Sequence, residues 1–383
     1  MSEKQGAIDG PRLPRPDELD DLHRVLAVSF GYHDESAPPR RRRSRGSAVP
    51  RESRIIAVDG KPVSHIRIVY SFISIYGVRI KAAAFGGVCT DPEYRGRGIA
   101  TRLLDYCIDE ATRAGAKLLI ISGDRGLYLR AHAAIAGPVW ETRVVRHEDG
   151  DSGQARTVRA AGLDDAPALS RLHQAEPVRY LRSGDFFARM LHHGHRQPWL
   201  IESGGQPISY LSLSRIWGLP SGTGVRALAE YGGSRSALLD SLPSILDAAG
   251  LTELRVSFPT HDAEMTHLFR SRGVSLQHDT VHAHTYRLLD LPGLLRALRP
   301  YFAARLPAAA LRAFSMTPTG ERVSPAGERV NMQFGSEQAD LNLSEAAAIM
   351  FGGPAAPAID GDLGELMRRI FPIPLPLPGL NYV

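Results

Sequence analysis

The sequence predicts an α/β (α+β) protein: two units built on mixed sheets, at residues 1–150 and 151–289, and a smaller α/β domain at 290–383. Three observations predict it. Short runs rich in Val and Ile alternate with amphipathic stretches as far as residue 289. A strand, a glycine-bearing turn and a helix occur in that order twice. The pattern reads Ala84-Phe85-Gly86-Gly87-Val88, then Arg95-Gly96-Arg97-Gly98, then Leu103-Leu104-Asp105 in the first copy. It reads Ala229-Glu230-Tyr231-Gly232-Gly233-Ser234-Arg235, then Leu238-Leu239-Asp240 in the second. After Asp290 the pattern changes to a helical stretch, two short β-like runs and an apolar tail spaced by prolines.

Leu13, Leu19, Leu22, Val25 and Leu26 recur at near-helical spacing and predict an early amphipathic helix. Strands are expected over 53–58, 63–75 and 78–90, the last two joined at Tyr76-Gly77. A helix over 99–114 stops at Gly115, which suits the left-handed end of a helix. Strands follow at 117–122 and 140–146, the latter assigned to the first unit. The charged, glycine-bearing stretch 148–154 is the expected boundary. In the second unit a helix opens at 163–166, capped by Asp164 or Asp165. Strands over 199–202 and 207–213 meet at Gly204-Gly205, and a third covers 224–230. Helix 236–249, strand 254–258 and helix 263–270 complete the unit. The third segment is helical over 291–306, with Pro300 expected to break or kink it. Strands follow at 330–334 and 339–343, then a helix over 344–351 capped by Ser344. The tail from Phe371 to Pro378 is extended by its prolines and apolar enough to pack on another unit.

Composition excludes several classes. Two cysteines, Cys89 and Cys107, rule out a disulfide scaffold or a Cys-rich zinc site and suit a reducing, cytoplasmic setting. No run of about 18 apolar residues exists, so no membrane-spanning helix is expected, and the polar N-terminus does not read as a secretory signal. All but four of the 46 basic residues are arginine, and the net charge is +5. The dense run Arg40 to Arg43 with Arg45 sits in a Pro/Ser/Gly-rich stretch and reads as a solvated loop. No nucleic-acid or membrane partner is expected. His192, His193 and His195 cluster without a carboxylate and read as a helix end or loop, so no metal is expected.

The chemistry concentrates at Val88-Cys89-Thr90-Asp91-Pro92-Glu93-Tyr94-Arg95-Gly96-Arg97-Gly98-Ile99-Ala100-Thr101. Gly96 and Gly98 remove side chains where the backbone turns, so amide N–H groups converge on an anion. The helix that follows aims its free N–H groups and positive dipole end at the same place. Arg95 and Arg97 add fixed charge. The whole predicts a pyrophosphate cradle. No Gly-Lys-Ser/Thr follows, so it is not a P-loop, and Thr101 stands where a dinucleotide fingerprint has its third glycine.

Arg95, Gly98 and Ala100 resemble motif A of the GNAT superfamily of N-acetyltransferases, Gln/Arg-x-x-Gly-x-Gly/Ala, and the likeness extends over about residues 12–148. The wider order of units resembles the Eis (enhanced intracellular survival) type: tandem GNAT folds, the second lacking the motif, then a sterol-carrier-protein-like domain. The resemblance implies direct transfer of an acetyl group from acetyl-CoA, as co-substrate, to a primary amine, either an aminoglycoside-like small molecule or a lysine. It implies coenzyme contacts from Val88, Cys89, Thr90, Arg95, Gly96, Arg97, Gly98, Ala100 and Thr101, with Val88 or Cys89 N–H as oxyanion donor. Tyr128 is implied as general acid, because the family often has a tyrosine at the start of the helix after this strand. No carboxylate lies on 82–89, and the resemblance implies the Val383 carboxylate as base. Phe30 and Tyr32 resemble acceptor-pocket residues, and a hexameric homo-oligomer is implied. Asp91 and Glu93 are expected to face solvent or cap the helix. The competing reading is a non-catalytic CoA- or lipid-binding protein that uses the third domain.

Overall fold

The computed structural model describes residues 6–30, 50–146, 156–191, 197–216, 223–279, 284–319 and 329–381. Tyr32, the Arg40–Arg45 run, the cluster His192, His193 and His195, Tyr382 and Val383 lie outside them. The first stretch contains β1 (Ile8–Arg12), α1 (Leu19–Phe30), β2 (Ser53–Val58), β3 (Lys61–Ile75), β4 (Val78–Thr90), α2 (Ile99–Arg113), β5 (Leu118–Ile121), α3 (Gly126–Arg130), β6 (Ala134–Ala136) and β7 (Val139–Val145). The second contains β8 (Arg156–Ala160), α4 (Ala166–Gln174), β9 (Val178–Leu181), α5 (Gly184–Leu191), β10 (Gln197–Ser203), β11 (Gln206–Ser214), β12 (Val225–Gly233), α6 (Arg235–Ala248), β13 (Glu253–Pro259), α7 (Ala263–Ser271), β14 (Gln277–Asp279) and β15 (His284–Leu288). The third contains α8 (Leu291–Ala303), α9 (Ala308–Ala313), β16 (Phe314–Thr319), β17 (Arg329–Phe334), β18 (Glu337–Asn342), α10 (Leu343–Phe351) and α11 (Gly361–Ile370). Mixed α/β architecture is thus what the sequence predicts.

The sheets cross the boundary expected at 150. The first sheet runs β1-β2-β3-β4-β5-β15-β6, with β9 also on β3; the second runs β14-β7-β13-β12-β11-β10-β8. So β7, assigned from sequence to the first unit, lies against β13, with Val145 facing Glu253 and Val139 facing Pro259. In return β15 sits between β5 and β6. Burial explains the exchange. Trp140 and Val144 pack on the second unit's core, while Tyr286 and Leu288 are buried against the first sheet. Alternation alone reports a half-buried strand and not whose core it faces.

The third unit, a three-stranded antiparallel sheet with helices, shares one apolar cluster with the first sheet: Ile73, Ile75 and Ile80 join Leu294, Phe351 and Ile370. Pro300 lies inside α8 without ending it. The cap of α10 is Asn342, not Ser344. Its Oδ1 accepts from Glu345 N–H (2.9 Å), and the Glu345 carboxylate accepts from Asn342 N–H (2.8 Å). A short 3-10 turn precedes α4, and Asp165 accepts there from Gly162 N–H (2.8 Å). The tail packs as its composition predicts. Ile373 N–H donates to Met350 C=O (2.7 Å), and Leu380 is buried among Ala161, Leu169, Leu200 and Tyr210 of the second unit. Among the described residues no helix is long and apolar enough to cross a membrane.

Candidate active site

The site begins where two strands part. β4 and β5 pair in parallel from Ala82↔Leu118 to Phe85↔Ile121, and β5 then ends while β4 continues to Thr90. The last five residues of β4 therefore keep β3 on one edge and an opening on the other. Val88, Cys89 and Thr90 are all buried there. Alternation along the strand divides their backbone groups. Asp91 N–H donates to Val63 C=O (2.8 Å), and Cys89 C=O accepts from Ser64 Oγ (3.0 Å), so these two residues face β3. Val88 C=O accepts from Arg125 Nη1 (3.2 Å) and Thr90 C=O from Arg95 Nε (3.1 Å), so Val88 and Thr90 face the opening.

Past Thr90 the chain turns. Asp91 accepts from Glu93 N–H (3.2 Å) and from Arg24 Nη1 (3.2 Å), which ties the turn to α1. Asp91 is thus a buried cap, and Glu93 is exposed. Gly96 (φ +76°) and Gly98 (φ +72°) take left-handed conformations, and an added Cβ at either would meet nothing within 4 Å. Gly98 is the N-terminal cap residue of α2, and Arg102 N–H makes the first closing bond, to Gly98 C=O (3.0 Å). The amides just before it, including those of Ala100 and Thr101, are left by helix geometry to point forward. Arg95, Gly96, Arg97 and Gly98 are exposed; the Arg97 guanidinium lies 5.2 Å from the Tyr94 ring centroid. Helix α2 forms because Ile99, Leu103, Leu104, Cys107, Ile108 and Ala111 bury one face. An open, donor-rich, positively charged turn with no side chain in its mouth fits a pyrophosphate.

Tyr128, on α3, is 2% exposed and belongs to the same apolar cluster as Val88 and Ile99. Phe30 ends α1, and its ring centroid is 6.0 Å from the Arg125 guanidinium carbon. Arg125 therefore links Phe30 to Val88. Cys89 is 4% exposed and burial pushes its thiol up to about 11, so it keeps its proton and is no nucleophile. Among the described residues no group of three His, Cys, Asp or Glu could hold a metal.

Two neighbours escaped the sequence reading. Arg125 sits in a Gly-Asp-Arg-Gly turn that carries no motif. His65 sits in the run 63–75, and its sole signal is a titratable residue among apolar ones. Both of its nitrogens are engaged: Nδ1 with Gly87 C=O (2.9 Å) and Nε2 with Ser53 Oγ (3.0 Å). Burial lowers its pKa to about 4.

Residues 11–130 match the family model described as acetyltransferase (GNAT) domain. No curated protein matches the chain. Among solved structures, a GCN5-related N-acetyltransferase from Kribbella flavida is similar over 98% of this chain and 98% of its own, at 19% identity and TM-score 0.68. A conserved Enterococcus faecalis protein described as a probable N-acyltransferase is similar over 95% of each chain, at 12% identity and TM-score 0.65. Eis1 from Mycobacterium abscessus is similar over 95% of this chain and 96% of its own, at 14% identity and TM-score 0.59. At these identities the likeness is one of fold, and it runs nearly end to end. The chain therefore carries an acetyltransferase (GNAT) domain over residues 11–130, the machinery of an acyltransferase, within a fold shared along almost its whole length with these proteins.

Proposed function

We propose that the protein transfers an acetyl group from acetyl-CoA directly to a primary amine, on an aminoglycoside-like small molecule or a lysine. The observation that carries this reading is the parting of β4 from β5 beside the open N-terminus of α2. The amides of Gly98, Ile99, Ala100 and Thr101, with Arg95 and Arg97, hold the pyrophosphate. The backbone of Val88 and Thr90 receives the pantetheine in the opening. Val88 N–H is the oxyanion donor, since Cys89 faces β3.

The acceptor amine, lodged near Phe30, attacks the thioester carbon as a neutral amine. Val88 N–H stabilises the charge that develops on oxygen, an effect worth on the order of 10²–10³-fold for one well-placed donor. The carbon–sulfur bond then breaks. Tyr128 gives its proton to the departing thiolate, and the Val383 carboxylate takes the proton that the amine sheds. The tail is held on the second unit up to Asn381, whose Oδ1 accepts from Arg182 Nε (2.7 Å), with Leu380 N–H donating to Glu230 (3.3 Å); Val383 itself lies outside the described residues, and its role rests on the resemblance.

A thiol-release assay with acetyl-CoA over aminoglycosides, polyamines, arylamines and lysine peptides tests the reading. Turnover is expected with at least one amine class. Tyr128→Phe and removal of Val383 should each lower kcat by roughly 10²-fold or more with the KM for acetyl-CoA little changed. Stoichiometric coenzyme binding without thiol release across the panel would move the chain to the competing reading, a CoA- or lipid-binding protein.

A further inference from the structure

Strands β3 and β4 keep one antiparallel register from Ile75↔Val78 to Arg67↔Gly86, and then it slips. His65 faces Cys89 and Ser64 faces Thr90, so β4 takes three steps where β3 takes two. The extra residue is at Gly87-Val88, and Gly87 adopts φ +58°. The His65 ring lies against it. A Cβ at Gly87 would come within 3.2 Å of two His65 ring atoms, and His65 Nδ1 is 2.9 Å from Gly87 C=O. A carbonyl only accepts, so Nδ1 carries the proton and donates; Nε2 then accepts from Ser53 Oγ–H. With Gly87 C=O held on the His65 side, the trans peptide sends Val88 N–H the other way. Val88 C=O meets Arg125 from the β5 side.

We infer that His65 is a positioning residue for acyl transfer: its Nδ1–H bond to Gly87 C=O locks the bulge so that Val88 N–H points at the thioester carbonyl. This rests on the proposed acetyl transfer and adds to it a residue outside motif A. His65 touches neither substrate; it acts through one peptide plane. Such leverage suffices, because a displacement of about 1 Å at the reacting centre can cost on the order of 10²-fold in rate. The ring is 3% exposed and both nitrogens are used, so it is neutral and held in one orientation at working pH.

The two nitrogens allow a dissection. His65→Asn places an amide N–H near the position of Nδ1 and keeps the bond to Gly87 C=O. His65→Gln places its amide near Nε2 and keeps the contact with Ser53 alone. His65→Ala keeps neither. In full-length protein, kcat should fall on the order of 10²-fold in the Gln and Ala variants, with the KM for acetyl-CoA within about threefold, the split expected when only transition-state contacts are lost. The Asn variant should recover most of that loss. A readout independent of turnover is the infrared carbonyl stretch of bound acetyl-CoA labelled with carbon-13 in the acetyl group. It should move to lower frequency in wild type and the Asn variant, and lie close to its solution value in the Gln variant. Equal losses in Asn and Gln, or a wild-type carbonyl that binds unshifted, overturn the inference. Carbonyl polarisation without turnover on any amine upholds the His65 lock while sinking the proposed transfer. Wild type that does not bind acetyl-CoA at all removes both.

Discussion

At the end of β4 the chain leaves its parallel neighbour after Phe85, turns at Gly96 and Gly98, and enters α2. At the end of β12 it leaves β13 after Ala227, turns at Gly232 and Gly233, and enters α6. The first turn is bare: Cβ atoms at either glycine would meet nothing within 4 Å, and no side chain caps α2. The second is filled by the protein itself. Gly233 N–H donates to Glu176 (2.8 Å), and Arg235 grips the same carboxylate through both terminal nitrogens (2.7 and 2.6 Å). Arg235 Nε also donates to Asp262 (3.1 Å), and Ser234 Oγ caps α6 by accepting from Ala237 N–H (3.2 Å). Its glycines are there for close packing. A Cβ at Gly232 would lie 2.5 Å from Tyr210, and at Gly233 2.3 Å from Ile208 C=O. A cavity of about 370 Å³ survives beside this turn, walled by Tyr231, Arg235, His261, Asp262 and tail residues Pro376 and Leu377. A strand-to-helix turn thus offers an anion site only while the chain supplies no anion of its own.

The largest effect comes from emptying the second turn. Glu176→Ala strands Arg235 with one remaining carboxylate and leaves Gly233 N–H unpaired. Both ion-pair partners are mostly buried, at 12% and 13% side-chain exposure, and breaking such a pair typically costs about 3–5 kcal/mol. A urea unfolding curve should show the midpoint falling at unchanged slope. An unchanged midpoint would mean that the carboxylate does not hold this turn together.

The first turn was legible in the sequence because its chemistry is local: Arg95, Gly96, Arg97, Gly98 and Ala100 fall within six consecutive residues, and geometry adds only their openness. The strands were legible too, from β-branched runs, as was the docked tail, from its apolar prolines. The second turn was not. Glu176 lies 57 residues before Gly233, and no local pattern ties a carboxylate to a distant amide. The exchange of β7 and β15 was hidden for the same reason. His65 lay between these cases, visible as an odd residue in a strand but silent about Gly87 until the register slipped.

Acid separates the two regions by pH window. Burial depresses His65 to about 4 from an ordinary 6.5. The unfolded chain therefore binds a proton between those values while the folded chain does not, and stability falls as pH drops from 6.5 to 4. A shift of that size corresponds to about 3 kcal/mol. His173 and His261, the latter to about 4, are also lowered by burial and act in the same direction from the second unit. Burial alone would raise Glu230, but the Arg182 guanidinium, bonded to both of its oxygens, holds it at about 2 against 4.5. Its contribution is complete above pH 4.5 and is lost between 4.5 and 2. Unfolding free energies across pH 7 to 3 should show two successive declines. In His65→Asn the upper one should shrink to the part owed to His173 and His261, and an upper decline of unaltered size would show that His65 titrates normally.

The comparison can also be inverted, by giving the first turn the carboxylate that the second already has. Gly98→Asp suits this because the site is exposed, no atom lies within 4 Å of the new Cβ, and the left-handed φ of +72° is one that Asp tolerates better than most residues. A negative charge at a helix N-terminus is also favoured by the helix dipole, which offsets part of the backbone cost of about 1–2 kcal/mol. The fold should therefore hold. Affinity for acetyl-CoA should fall on the order of 10²-fold, the size of one unfavourable close charge contact in a partly screened site. Calorimetric titration at two ionic strengths separates charge from shape, since repulsion weakens with salt whereas a steric block does not. Gly98→Ala supplies the methyl without the charge and should lose far less. An aspartate variant that binds the coenzyme as wild type does would show that the phosphates rest elsewhere, and the resemblance between the two turns would then be one of chain path alone.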